Sequence, residues 1–227
     1  MTIIATDLDG TIYKGQTLID DVKNAVLEII NAGIEIYFTT NNSSQSPNEI
    51  KDKLDNLLQL NLDMTKIITP LVIFQNLYSG NSKDIYIYGS DNLINFINKM
   101  NMNVTNLENA ELILIGRKEE NNNSEINQIL KNVSLGKEIL CLNKDLTFPT
   151  ELGEKPGNGA VVKIIEDNLS IDIPTLGKSG NLYSSYFIKN NIDISFVVGD
   201  RVDTDIIFGK NLNAQTFLVS TGIKNYL

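Results

Sequence analysis

Four stretches of this chain set oxygen-bearing or cationic side chains at spacings that suit chemistry on an anion. The first is Asp7-Leu8-Asp9-Gly10-Thr11. Two carboxylates two residues apart, followed by a glycine that permits a tight bend, supply a nucleophile and an acid-base group beside a shared metal. A solvated acidic turn has the same letters. The second is Thr39-Thr40-Asn41-Asn42-Ser43-Ser44, whose hydroxyls, amides and backbone N–H groups hold anionic oxygens without adding negative charge. A polar loop leading into a helix fits those residues equally well. The third is Gly199-Asp200-Arg201-Val202-Asp203-Thr204-Asp205. Asp200 and Asp205 are spaced as a metal ligand and its supporting carboxylate, and Asp203 also suits the cap of a following helix. The fourth is Lys178 after Gly177, on its own an ordinary solvated charge. Three acidic groups and a cation, each close to a strand end, point together to a magnesium-assisted phosphoryl site.

The elements that must position these residues alternate along the chain. Thr2 to Thr6 reads as a buried strand, rich in β-branched residues. Asp20 or Asp21 caps a helix with apolar positions Val22, Ala25, Val26, Ile29 and Ile30, and Gly33 ends it. A second strand is expected over Ile34 to Thr39, and Ser46-Pro47-Asn48-Glu49 supplies a capping box with proline at the first helical position. The middle repeats the rhythm with strands at Ile85 to Tyr88, Leu112 to Ile115 and Ile139 to Leu142, and helices near 91–100 and 124–133. Asn121-Asn122-Asn123 reads as a polar loop between them. Further helices are expected at Ala160 to Glu166, Leu182 to Ile188 and after Asp203, with strands at Ser195 to Val198 and Thr216 to Val219. Strand and helix in alternation predict a parallel sheet, and ligands bind such sheets at the carboxyl ends of their strands.

Composition narrows the chemistry further. The 227 residues are 42% hydrophobic and 21% charged, a globular profile with length for one to two domains, and two are expected. There is no histidine, which removes serine-histidine-aspartate triads, cysteine-histidine pairs, histidine phosphoenzymes and histidine-ligated metals together. Acid-base work must fall mainly to Asp, Glu, Lys or Tyr. A net charge of −9 argues against nucleic-acid partners. No apolar run is long enough for a membrane span and no signal peptide opens the chain, so no membrane partner and a cytoplasmic location are expected. The single Cys141 reads as a buried thiol.

Asp7-Leu8-Asp9-Gly10-Thr11, Thr40-Asn41-Asn42, Lys178, and Gly199-Asp200 with Asp205 resemble, in order, the four motifs of the haloacid dehalogenase superfamily. Asp145-Leu146-Thr147-Phe148-Pro149-Thr150-Glu151 and Pro156-Gly157-Asn158-Gly159-Ala160 look like its p-nitrophenyl phosphatase and NagD-type subgroup. The resemblance covers nearly the whole chain. It implies an α/β protein in which a Rossmann-like parallel-sheet core, residues 1–69 and 177–227, carries an inserted α/β cap, residues 70–176. It further implies hydrolysis of small phosphomonoesters through an aspartyl-phosphate, with Asp7 as nucleophile and Asp9 as general acid and base. Magnesium would be held by Asp7, Asp9 through its carbonyl, and Asp200; Thr40, Asn41 and Lys178 would bind the phosphoryl oxygens, with Asp205 behind them. Specificity is expected in the loop from Phe148 to Gly159, including Glu151 and Lys155, with Asn42 contributing from the core. Nucleotides, sugar phosphates and pyridoxal phosphate are the small phosphorylated metabolites in view, and relatives often form homodimers through the cap.

Two other classes compete. A non-catalytic phosphate-binding or phospho-receiver protein also pairs acidic residues with a lysine and magnesium, but it has no use for an acid such as Asp9 or for a cap. A dinucleotide-binding reading rests on Gly157-Asn158-Gly159 alone, without a third glycine. The chain also departs from the family pattern. Ser179 follows Lys178 where proline is usual, a change expected to loosen the helix start slightly, and Lys144 stands where proline is common. Relatives usually continue past Leu227 through another strand and helix, so an uncovered sheet edge, with reduced stability or a compensating subunit contact, is expected.

Overall fold

The computed structural model describes residues 2–150 and 153–222. In chain order the elements are β1 (Ile3–Thr6), β2 (Tyr13–Lys14), β3 (Thr17–Leu18), α1 (Val22–Asn31), β4 (Glu35–Thr39), α2 (Pro47–Leu58) and β5 (Ile67–Ile68). There follow α3 (Pro70–Tyr78), β6 (Asp84–Tyr88), α4 (Asp91–Lys99), β7 (Asn103–Val104), β8 (Leu112–Ile115), α5 (Asn123–Ser134) and β9 (Glu138–Cys141). The chain continues through β10 (Thr147–Thr150), β11 (Gly153–Pro156), α6 (Asn158–Leu169), α7 (Asn181–Lys189), β12 (Phe196–Gly199), α8 (Ile207–Asn211) and β13 (Gln215–Leu218). Contacts divide the fold into two units. One comprises the chain up to Thr40, Pro47–Thr69 and the stretch from Lys178 onward; the other comprises Asn41–Ser46 and Pro70–Gly177.

In the first unit, five strands run parallel in the order β13-β12-β1-β4-β5. The chain leaves β1 toward β4 and β5 on one side and returns to β12 and β13 on the other. The order therefore reverses between β1 and β12, where the carboxyl ends of two adjacent strands open a crevice. Ala5 sits level with Val197 and Tyr37, and that register sets Asp7, one residue past β1, beside the end of β12. The Asp7 N–H closes the arrangement by donating to the Val198 carbonyl at 2.8 Å. Leu8, Ile12, Tyr13, Val26, Phe38, Ile50, Leu54 and Leu58 form a core under this end of the sheet. Each buried aliphatic side chain there contributes roughly 1.5–3 kcal/mol. Helix α1 starts differently from expectation: Asp21 holds φ 62° and its carboxylate makes no capping bond. At the far edge lies β13, with Phe217 packed on Phe196 at 5.9 Å yet half exposed beside Leu218.

The second unit has its own parallel sheet, ordered β7-β6-β8-β9, and an antiparallel hairpin of β10 and β11. Its central strand β8 is buried along its whole length, as continuous apolar Leu112-Ile113-Leu114-Ile115 requires between two helical layers. Helices α5 and α6 pack over it through Ile126, Ile129, Val161, Val162 and Ile165. The polar Asn121-Asn122-Asn123 stretch contains a helix cap: the Asn122 side chain accepts from the Ser124 and Glu125 N–H groups. No helix among the described residues is long and apolar enough to cross a membrane.

Candidate active site

Asp7, Lys178, Asp200 and Asp205 meet at the crevice between β1 and β12. Lys178 is 1% exposed, and its ammonium donates to Asp7 Oδ1 at 2.6 Å and Asp205 Oδ1 at 2.8 Å. Thr11 Oγ1 donates to the other Asp7 oxygen at 3.0 Å, a direct use of the threonine that follows the tight bend at Gly10. Asp205 is held from behind by the Arg201 N–H, which donates to Oδ2 at 3.1 Å. Instead of the helix start expected at Asp203, residues Val202–Ile206 form a π-type turn ahead of α8. Asp203 itself faces outward and pairs with the Arg201 guanidinium at 3.0 and 2.6 Å. That wider turn carries Asp205 back toward Lys178.

Two carboxylates, Asp7 and Asp205, share the Lys178 ammonium, and Asp200 lies in the same cluster. Carboxylate oxygens of Asp7, Asp200 and Asp205 lie within 4.8 Å of one another, all on buried residues. Burial pushes Asp7 up to about 8, with Asp205 and Asp200 adding to the rise and Lys178 opposing it. Burial alone would lower Lys178, but Asp205 and Asp7 outweigh it and keep the ammonium protonated well above its usual range. A cluster of carboxylate oxygens is the donor set a hard divalent cation takes. Backbone closes tightly on Asp200: a Cβ at Gly10 would come within 2.6 Å of Asp200 Oδ2, and one at Gly222 would overlap that oxygen. The residues present thus fit a divalent metal.

Asp9 stands on the turn after β1, open to solvent on one side while neighbouring atoms crowd the other. That crowding raises its carboxyl, opposed by Lys53, Lys178 and the Tyr13 phenol, which donates to Oδ2 at 3.5 Å. Thr40 follows β4, next to β1 in the sheet, and its N–H donates to the Ile68 carbonyl at 3.1 Å.

The remaining expected residues belong to the second unit. The Asn41 amide donates to both oxygens of Asp145, at 3.0 and 3.2 Å, while its carbonyl accepts from the Asn143 amide at 2.8 Å. Asn42 builds its own loop, its Oδ1 accepting from the Ser44 and Gln45 N–H groups. Lys155 is exposed and lines a cavity of about 450 Å³ with Arg117, Lys118 and Glu119. Glu151 lies outside the described residues. Gly157 and Gly159 press their backbone against the carbonyls of Asp145 and Lys144, where any Cβ would overlap. These glycines therefore serve close packing.

Sequence reasoning passed over Lys53 and Tyr13. Tyr13 reads as one more apolar residue and Lys53 as one more helix surface charge, yet the Lys53 ammonium sits 3.5 Å above the centre of the Tyr13 ring.

A parallel sheet with an acidic cluster and a buried lysine at its reversal point defines a class when set beside known proteins. A family model for haloacid dehalogenase-like hydrolases matches residues 4–103, and a second, for HAD-like hydrolases, matches residues 155–226. The chain belongs to the haloacid dehalogenase-like hydrolases and is a phosphatase by class. An acid sugar phosphatase of Staphylococcus saprophyticus is 27% identical to it over 222 residues, covering 96% of this chain and 85% of the relative. Among solved structures, the p-nitrophenyl phosphatase from Archaeoglobus fulgidus matches with a TM-score of 0.89 at 23% identity, over 98% of this chain and 87% of that one. The glycerol phosphate phosphatase from Mycobacterium tuberculosis in complex with magnesium matches with a TM-score of 0.82 at 24% identity, over 98% and 69%. These two likenesses concern the fold.

Proposed function

We propose that the protein hydrolyses small phosphomonoesters, with sugar phosphates the leading substrate class, in a magnesium-dependent reaction through an aspartyl-phosphate. The observation that carries this reading is the Asp7 carboxylate held between Lys178 and Thr11 at a strand-end crevice that also contains Asp200. In the first step an Asp7 oxygen bonds to phosphorus as the ester P–O bond breaks, and Asp9 gives its proton to the departing alcohol. In the second, Asp9 takes a proton from water, the water oxygen bonds to phosphorus, and the acyl phosphate bond breaks to free Asp7 and inorganic phosphate. Thr40, Asn41 and Lys178 hold the phosphoryl oxygens throughout, and Asp205 keeps Lys178 in place. Magnesium, bound by Asp7, the Asp9 carbonyl and Asp200, would add positive charge against the phosphoryl oxygens. Residues 70–176 act as the cap over a core of 1–69 and 177–227, with Asn42, Glu151 and Lys155 meeting the leaving group. Sugar phosphates lead because the staphylococcal relatives bear the name acid sugar phosphatase.

The test is phosphate release from p-nitrophenyl phosphate with magnesium or with EDTA, in the natural chain and in Asp7→Asn and Asp9→Asn, followed by sugar phosphates, nucleotides and pyridoxal phosphate. Magnesium-dependent turnover lost in both variants is the expected result. A folded chain that turns over none of these esters would sink the proposal.

A further inference from the structure

Lys53 projects from α2 between Ile50 and Leu54, two residues of the core, and is half-buried. Among the described residues its ammonium forms no ion pair within 4 Å. Instead it rests 3.5 Å above the centre of the buried Tyr13 ring. A half-buried ammonium with no carboxylate partner is costly unless the ring beneath it and a nearby charge compensate. Both are present. The Tyr13 phenol reaches Asp9 Oδ2 at 3.5 Å, Tyr13 and Asp9 are bridged through their backbones, and the Gly10 N–H donates to the Tyr13 carbonyl at 2.7 Å. Of the charged groups around Asp9, Lys53 exerts the strongest pull on it.

We propose that Lys53 is a positioning residue that clamps the Tyr13 ring and, through the phenol and its own charge, holds the Asp9 carboxylate where it meets the leaving-group oxygen. The inference rests on the role proposed for Asp9 above. Its signature is a dependence on the leaving group. An alkoxide needs the proton that Asp9 supplies, whereas p-nitrophenolate departs nearly unaided, so a displaced Asp9 hurts alkyl esters more. A lesion in folding or in phosphate binding hurts both alike.

The experiment measures kcat/KM, which reports steps up to release of the first product, for p-nitrophenyl phosphate and glycerol 3-phosphate in the natural protein, Lys53→Met, Lys53→Arg and Tyr13→Phe. For Lys53→Met the loss on glycerol 3-phosphate is expected to exceed the loss on p-nitrophenyl phosphate by about tenfold, a part of the ~10²–10⁴ that general acid catalysis supplies. Lys53→Arg, which keeps a cation over the ring, recovers most of that difference, and Tyr13→Phe falls between. Equal losses on the two esters, or no loss, would overturn the inference while leaving the phosphatase reading intact. Should the Met variant not fold, the Arg and Phe variants alone decide by the same ratio. If the natural protein hydrolyses neither ester, the reading of Asp9 fails and this inference fails with it.

Discussion

Lys178 donates to Asp7 and Asp205 at once, at 2.6 and 2.8 Å, so a single buried ammonium ties the end of β1 to the turn after β12. It is the only cation that the described ion pairs place on Asp7, and Asp200 adds a third carboxylate to the same cluster. The charges of Asp7 and Asp205 are therefore tied to this side chain.

Lys178→Met follows directly. Removing one partner of a buried pair leaves the others uncompensated, a loss of roughly 3–5 kcal/mol. Denaturant unfolding should register that drop, and phosphate release should fall by about 10²–10³, the range for losing a preorganised electrostatic contact. Lys178→Arg should restore stability in part but not turnover, because a planar fork cannot replace a compact ammonium in a closed pocket. Retained activity in the Met variant would remove Lys178 from the site.

The same carboxylate cluster predicts how a metal acts. A cation bound only by the folded state stabilises it by about 2.7 kcal/mol at a hundred times its dissociation constant. For a chain of this size that raises the melting midpoint by roughly 5–10 °C. Magnesium should thus stabilise the natural protein, and EDTA should reverse the effect. In Asp200→Asn a carboxylate of the cluster is gone, so the variant should respond little to magnesium. A full magnesium response in Asp200→Asn would place the ion elsewhere.

The strand-end placement of Asp7 and Asp200 was legible because each follows a short apolar run that forms a strand, whereas the strand expected before Lys178 is only an isolated bridge at Thr175. Local chemistry was harder to read where tertiary contacts decide. Asp21 carries the letters of a cap, yet it adopts a left-handed backbone and makes no capping bond. The two-residue strand β5 and helix α3, almost wholly apolar around Pro70, show no period to read. Lys144 gains its meaning only from partners 22 and 28 residues away, Glu166 and Asp172, each at 2.6 Å. Lys53 and Tyr13 are 40 residues apart, and only the fold lays one over the other.

Cys141 offers a check on the second unit. It is buried on β9, and burial pushes its thiol from 9.0 up to about 12. A native thiol that stays neutral is a poor nucleophile, so a thiol reagent at pH 8 should label it only as the protein unfolds. The linkage has a definite sign. The folded state holds the proton more tightly than the unfolded state, so this contribution to stability is present below pH 9 and is lost as pH rises toward 12. Cys141→Ala should flatten that part of the stability profile. Rapid labelling of the folded protein would contradict the burial.

Asp145 ties down the segment that follows Thr40. Its two oxygens receive the Asn41 amide, and the neighbouring Asn143 amide donates to the Asn41 carbonyl and to Ser43 Oγ at 3.3 Å. These bonds fix Asn41–Ser46 onto the second unit, although covalently the segment continues the strand end that carries Thr40. Asp145→Ala removes the acceptor and frees the Asn41 side chain, so the ordering it supplied must then come from substrate binding. The expected outcome is a KM for p-nitrophenyl phosphate raised about tenfold, the equivalent of one hydrogen bond to a charged group, with kcat changed much less. Asp145→Asn, which keeps one acceptor oxygen, should lie in between. If kcat falls and KM holds, the segment acts on the chemical step itself, and Asn41 matters after the phosphate is bound.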